Sequence, residues 1–190
     1  MLDTEDVASA LQRALNVIRF KSAKYSCERP FTIGGALALQ ARALESGAGA
    51  ISEEHPVLAG YRAFGLPLGE GFQLRDDELG VFGRPEVTGK PAGDDLREGK
   101  RTVLVALTSA ALSEQEAALL HDSLGNPNLS EEQVERIREL MVSSGAFAEH
   151  ERLIEQKSRA VFEALDALEL DELVRAALSD IVDRALRRKS

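Results

Sequence analysis

Through nearly the whole of this 190-residue chain, apolar residues recur at three- and four-residue spacing, and that period constrains the fold more than any other feature. After Thr4, the residues Val7, Leu11, Leu15 and Ile18 form one stripe. Pro30 restarts the chain, and Phe31, Ile33, Leu37 and Leu39, with small Gly34, Gly35 and Ala36, predict a closely packed second helix. Gly47 and Gly49 mark a turn. Pro56 opens a further helix, and the stretch GLPLGEGFQLRDDELGVF forms the next. From Gly83 to Gly99 the chain is irregular, and long ordered loops are often functional. Beyond it, Asp94 or Asp95 caps a helix carrying Val103, Leu104 and Leu107, and a short helix ends at Gly125. Ser130 with Gln133 is a capping-box pattern ahead of Val134, Ile137 and Leu140. Gly145 stops that helix, and two more follow, broken near Glu169–Leu170–Asp171. No segment alternates with strand period, so the expectation is an all-α single domain over residues 1–190.

Charge and composition narrow the function. A net charge of −9 argues against nucleic acid, because phosphate-backbone binding needs a basic face. An acidic protein that handles phosphates must do so locally, through metals and a few lysines. The lone Cys27 excludes an intrachain disulfide and fits a reducing cytosol. The opening MLDTEDVAS has no apolar core of a signal peptide, and no apolar run approaches the ~20 residues that span a bilayer. The expected location is the cytoplasm.

Asp76 and Asp77 stand side by side in an otherwise apolar stretch. Burying a carboxylate costs several kcal/mol unless a cation or hydrogen-bond donors compensate. On a helix Gln73, Asp76, Asp77 and Gly80 share one face. Either the aspartates are solvated surface, or Mg²⁺ neutralises them, since that ion takes one or two carboxylates together with waters and substrate phosphates. Downstream, Lys90 and Lys100 each follow a glycine and supply compact positive charges.

The string GEGFQLRDDELGVFGRPEVTGKPAGDDLREGKRT resembles the second aspartate-rich motif, with its Gly-Lys and Gly-Lys-x-Thr continuation, of the polyprenyl synthetase family, the trans-isoprenyl diphosphate synthases. RFKSAKYSCERP is similar to that family's Lys-Thr segment, with Lys21 and Ser22 in those two places. The likeness is clearest from about Val17 to Leu104. It implies a helical bundle of the isoprenoid synthase type around a deep apolar cavity. It also implies Mg²⁺-dependent condensation of an allylic prenyl diphosphate with isopentenyl diphosphate. Carried over by residue, Asp76 and Asp77 would hold Mg²⁺, and Gln73 would stabilise the allylic cation or orient the site. Lys21 and Lys90 would contact the allylic diphosphate, Lys100 would lie near it, and Ser22 would face the reacting centre. Asp95 matches an aspartate of the continuation and would cap or brace the loop.

Two departures from the pattern stand out. Gly80 occupies the place of the motif's last aspartate, and the family's first aspartate-rich motif is absent, as are the upstream basic residues for isopentenyl diphosphate. The chain is therefore expected to be the C-terminal part of such a domain, truncated at the N-terminus. Uncovered apolar helix faces would then predict a homo-oligomer or a partner supplying the missing helices. The alternative is a non-catalytic relative that binds or modulates a prenyl synthase subunit; a terpene cyclase relative is disfavoured by the Gly-Lys loop. His55, His121 and His150 read as surface or capping residues, Cys27 as a small buried side chain, and Arg187, Arg188 and Lys189 as a solvated helix end.

Overall fold

In the computed structural model of the protein, residues 4–84, 89 and 93–187 are described, and among them every regular element is a helix. Helix α1 (Thr4–Val17) passes into a π-helical segment, Ile18–Glu28, which α2 (Arg29–Glu45) continues. There follow α3 (Pro56–Phe82), α4 (Asp94–Arg97), α5 (Val103–Ala111), α6 (Glu114–Ser123) and α7 (Glu131–Ser143). The last two are α8 (Ala146–Asp166) and α9 (Glu172–Leu186).

Local chemistry accounts for most of these boundaries. Ser130 and Gln133 form the predicted reciprocal cap of α7: Gln133 N–H donates to Ser130 Oγ at 3.2 Å, and Ser130 N–H donates to Gln133 Oε1 at 2.9 Å. Ser113 and Glu116 do the same for α6. The break before α9 falls at Asp171, which stands at its N-cap position without a side-chain capping bond.

Three expectations require correction. The two helices read from Pro56 onward are one, a continuous α3 of 27 residues with Pro67 inside it. A proline removes one intrahelical hydrogen bond, but buried Phe64 and Leu68 on either side hold the flanking turns in place. Asp94 and Asp95 do not cap the helix of Val103; they open the separate α4, and Thr102 caps α5 by accepting from Val105 N–H at 3.3 Å. The stripe through Ile18 holds, with Leu11, Ala14, Leu15 and Ile18 buried or half-buried, but the period changes beyond it. In the π segment, whose hydrogen bonds run i→i+5, the buried positions are Ile18, Ala23 and Glu28, every fifth residue. Finally, His150 is fully buried rather than on the surface.

The chain divides into two compact units. Within the described residues, one takes in 4–17 and 74–154. Its core gathers Val81, Leu96, Leu104, Ile137 and Met141, and α1 packs on α5. The other takes in 18–73 and 155–187. Its core joins Phe64 and Leu68 of α3 to Val161 and Leu165 of α8 and Val182 and Leu186 of α9. Phe31 meets Phe64 edge-on at 5.2 Å between ring centroids. Cys27 is half-buried, and burial pushes its thiol pKa up. His55 does cap: its Nδ1 accepts from Val57 N–H at 3.3 Å. At the end of α9 Arg187 is exposed and pairs with Asp183 at 3.1 Å, while Arg188 and Lys189 lie outside the described residues.

His150 ties α8 to α3 within the first unit. Its Nε2 lies 2.9 Å from Leu74 O and so carries the proton, while Nδ1 is buried without a partner. Burial pushes the imidazole pKa down. The folded state thus takes up this proton less readily than the unfolded chain. The stability His150 contributes is complete above about pH 6.5 and is lost as pH falls from there toward the folded-state value. His150→Gln keeps a donor for Leu74 O and removes the titration. Its melting temperature is expected to fall less than the wild type's between pH 7 and pH 5, as followed by circular dichroism.

Candidate functional site

The π segment reaches α3 through a position that has no side chain. A Cβ on Gly69 would stand 2.5 Å from Ala23 Cα, closer than any real contact, so the two backbones touch only because residue 69 is glycine. One turn earlier Gly65 lies similarly against Glu28. This approach sets Lys21 and Ser22 beside the middle of α3. Ser22 Oγ donates to Gln73 Oε1 at 2.6 Å, a bond between residues 51 apart in sequence. Lys21 is exposed next to it. Beneath Gln73 on the same helix, buried Glu70 accepts from Lys157 Nζ at 2.7 Å and pairs with Arg19 at 3.7 Å.

Further along α3, the adjacent aspartates differ. Asp76 is exposed and Asp77 is 7% exposed, so one of the two carboxylates is the buried kind that demands compensation. The other side of that turn is braced. Arg75 Nη1 donates to Glu78 Oε2 at 2.7 Å and also bonds Glu151 of α8. Its Nη2 reaches the second Glu151 oxygen at 3.2 Å. Glu78 is 3% exposed, and burial, with the hydrogen bond its protonated carboxyl donates to Glu151, pushes its pKa up to about 8. The Arg75 fork and His150 therefore fix the turn that presents Asp76 and Asp77.

In the same unit, α4 and the turn after it carry Lys100. The Lys100 ammonium pairs with Asp95 Oδ1 at 2.5 Å and with Glu98 at 3.0 Å. These carboxylates hold its pKa well above the ordinary lysine value. Asp95 thus holds the turn that carries Lys100. Lys90 lies outside the described residues.

The predicted residues thus fall into two groups. Ser22 and Gln73 are brought into direct contact, with Lys21 adjacent, and Asp76, Asp77 and Lys100 belong to the other unit. Among the described residues no three His, Cys, Asp or Glu side chains gather closely enough to hold a metal ion by themselves. The donor set still fits Mg²⁺, which needs hard oxygen ligands and completes its shell with water and substrate phosphate when only one or two carboxylates are present. Sequence reading missed Glu70, the Arg75–Glu78–Glu151 cluster and His150. For the first two a signal exists: Glu70 and Gln73, and Arg75 and Glu78, are polar pairs one turn apart on a helix that is otherwise apolar.

Comparison with known proteins finds relatives over most of the chain. The profile of the family described as polyprenyl synthetase matches residues 1–141. A geranylfarnesyl diphosphate synthase of Aeropyrum pernix is 34% identical over 175 residues, which take in 90% of this chain and 49% of that protein. A (2E,6E)-farnesyl diphosphate synthase of Mycobacterium bovis is 37% identical over 115 residues, 59% of this chain and 32% of that one. A solved structure of geranylgeranyl pyrophosphate synthase from Corynebacterium glutamicum, complexed with isoprenyl diphosphate and magnesium, superposes with a TM-score of 0.77. It is 37% identical and is matched over 94% of this chain and 47% of its own. The chain spans about half the length, or less, of the relatives it matches.

The backbone approach at Gly69 generates a direct test. Alanine there is a better helix former by about 1 kcal/mol, yet its methyl would have to displace the main chain of Ala23. Gly69→Ala is expected to destabilise the chain by about 1–3 kcal/mol, read from urea denaturation. A neutral or stabilising substitution would show that the π segment does not lean on α3.

Proposed function

The chain belongs to the polyprenyl synthetase family, and from that premise we propose that it supplies one metal- and diphosphate-binding wall of a prenyltransferase. That enzyme condenses an allylic prenyl diphosphate with isopentenyl diphosphate. The observation that carries the reading is α3 itself. One helix bears Asp76 and Asp77 together with Gln73, and Gln73 is already held by Ser22 from the π segment.

Asp76 and Asp77 are the residues that would hold Mg²⁺, and the bound ion supplies Lewis-acid stabilisation of the charge left on the departing diphosphate. Lys21, Lys90 and Lys100 are point charges for the diphosphate oxygens. Ser22 fixes the Gln73 amide, so its dipole is oriented before positive charge develops on the allylic carbon. Such preorganised dipoles cost no reorganisation during the reaction. Arg75, Glu78, Glu151 and His150 keep the aspartate-bearing turn rigid from behind.

The surroundings of the reaction follow the same logic. Among the described residues no helix is long and apolar enough to cross a membrane, and the single cysteine supports a cytoplasmic setting. On α2, Ile33, Leu37 and Leu44 are 57%, 68% and 70% exposed. An apolar face of this extent supports association with a second copy or with further helices of the synthase type.

A ligand that binds only the folded state raises its apparent stability, by about 2.7 kcal/mol at a hundredfold excess over Kd. Thermal melting of the chain is expected to shift upward with Mg²⁺ and an allylic diphosphate together, and with neither alone. Asp76→Asn is expected to remove most of that shift. A wild-type melt indifferent to the pair would retire the proposal.

A further inference from the structure

We propose that Asp95 is a positioning residue of this site and that Gly80 is what seats it, an inference that rests on the reading of Asp76, Asp77 and Lys100 given above. Where the motif has its last aspartate, this chain has glycine. That place is not empty. A Cβ on Gly80 would lie 2.2 Å from Asp95 Oδ2 and 2.3 Å from Asp95 Cγ, so the Asp95 carboxylate fills the volume any side chain at residue 80 would need.

Gly80 lies three and four residues beyond Asp77 and Asp76 on α3, where neighbouring Cβ positions are about 5–6 Å apart. The Asp95 carboxylate therefore lies along the face that carries the two aspartates, one turn on, delivered from α4 rather than from α3. Its Oδ1 accepts from Lys100 Nζ at 2.5 Å, and its main-chain oxygen accepts from Lys100 N–H at 3.0 Å. Lys100 is thus tied to Asp95 by both main chain and side chain. Asp95 is 5% exposed, whereas the Lys100 side chain is 41% exposed. A fixed carboxylate holds a lysine whose charge remains open to a ligand.

The chemical consequence differs from that of an aspartate at residue 80. Such a side chain would add only negative charge near the diphosphate. Asp95 brings Lys100 with it, so the turn after Asp76 and Asp77 ends in a carboxylate bound to a cation, one that Glu98 also contacts at 3.0 Å and whose exposed part can meet a phosphate oxygen. Asp95 acts through Lys100, and Gly80 is the absence of atoms that makes the arrangement possible.

Melting temperature and calorimetric binding of inorganic pyrophosphate in Mg²⁺ test this on the full chain. In a helix interior Gly→Ala ordinarily stabilises. Here Gly80→Ala is expected to lower the melting temperature by about 2–4 °C and to weaken pyrophosphate binding about tenfold. In an Asp95→Gly background the same Gly80→Ala change is expected to raise the melting temperature and to cost no further affinity, because coupled sites are not additive. Asp95→Asn keeps the shape and loses the charge that holds Lys100; it is expected to weaken pyrophosphate binding while shifting the melt little. Gly80→Ala raising the wild-type melt would overturn the seat, and Asp95→Asn binding pyrophosphate as the wild type does would overturn the positioning role. If the wild type binds no pyrophosphate with Mg²⁺, the prenyltransferase reading and the positioning role fall together. The sign of the Gly80→Ala melt still judges the seat.

Discussion

Carboxylates buried along α3 set the terms for the rest of the protein. Glu70, Asp77 and Glu78 are each less than a tenth exposed, all within nine residues of one helix. A buried carboxylate without compensation is destabilising by several kcal/mol, so each one dictates a neighbour. Glu70 takes Lys157 and Arg19. Glu78 takes Arg75, and the same guanidinium is shared with Glu151. Within each unit, the stretch of α3 that carries these buried groups cannot shift without breaking the pairs that hold it, and that local rigidity is what a site built on its surface requires.

Much of this was legible in the sequence because it depends on short-range rules. Helical period gave the all-α class, and the reciprocal Ser130–Gln133 cap is a local pattern that the structure reproduces. The polar positions Gln73, Asp76 and Asp77 followed from one helix face. What stayed hidden depends on tertiary contact. Pro67 sits inside α3 because packing outweighs a local breaker. The π segment shows only as a five-residue spacing of Ile18, Ala23 and Glu28, which a search at α-helical period passes over. His150 looks like any solvent-facing histidine until Leu74 O is placed 2.9 Å away, across 76 residues of sequence.

The glycines of the motif region show the same division. As letters, Gly69 and Gly80 read as a small residue on an apolar helix and as a missing aspartate. As positions they do different work: Gly69 admits the backbone of Ala23, and Gly80 admits the carboxylate of Asp95. A motif compared letter by letter scores the second as a loss. Compared as occupied volume, the same region retains a carboxylate on the face after Asp76 and Asp77, supplied by a neighbouring element.

A chain of net charge −9 that is to bind diphosphate has no long-range field to attract it. Affinity must come from a few cations held where the ligand lies, and each must avoid being neutralised by the acidic surface around it. Pairing Lys100 with buried Asp95 keeps the ammonium in place by a hydrogen bond it donates within its own loop, while more than a third of the side chain stays open. Exposed lysine charge would otherwise be mobile and screened over about 10 Å at 0.1 M salt. Excess negative charge and diphosphate recognition are therefore compatible in this fold, provided the cations are anchored by burial of their partners rather than gathered into a basic patch.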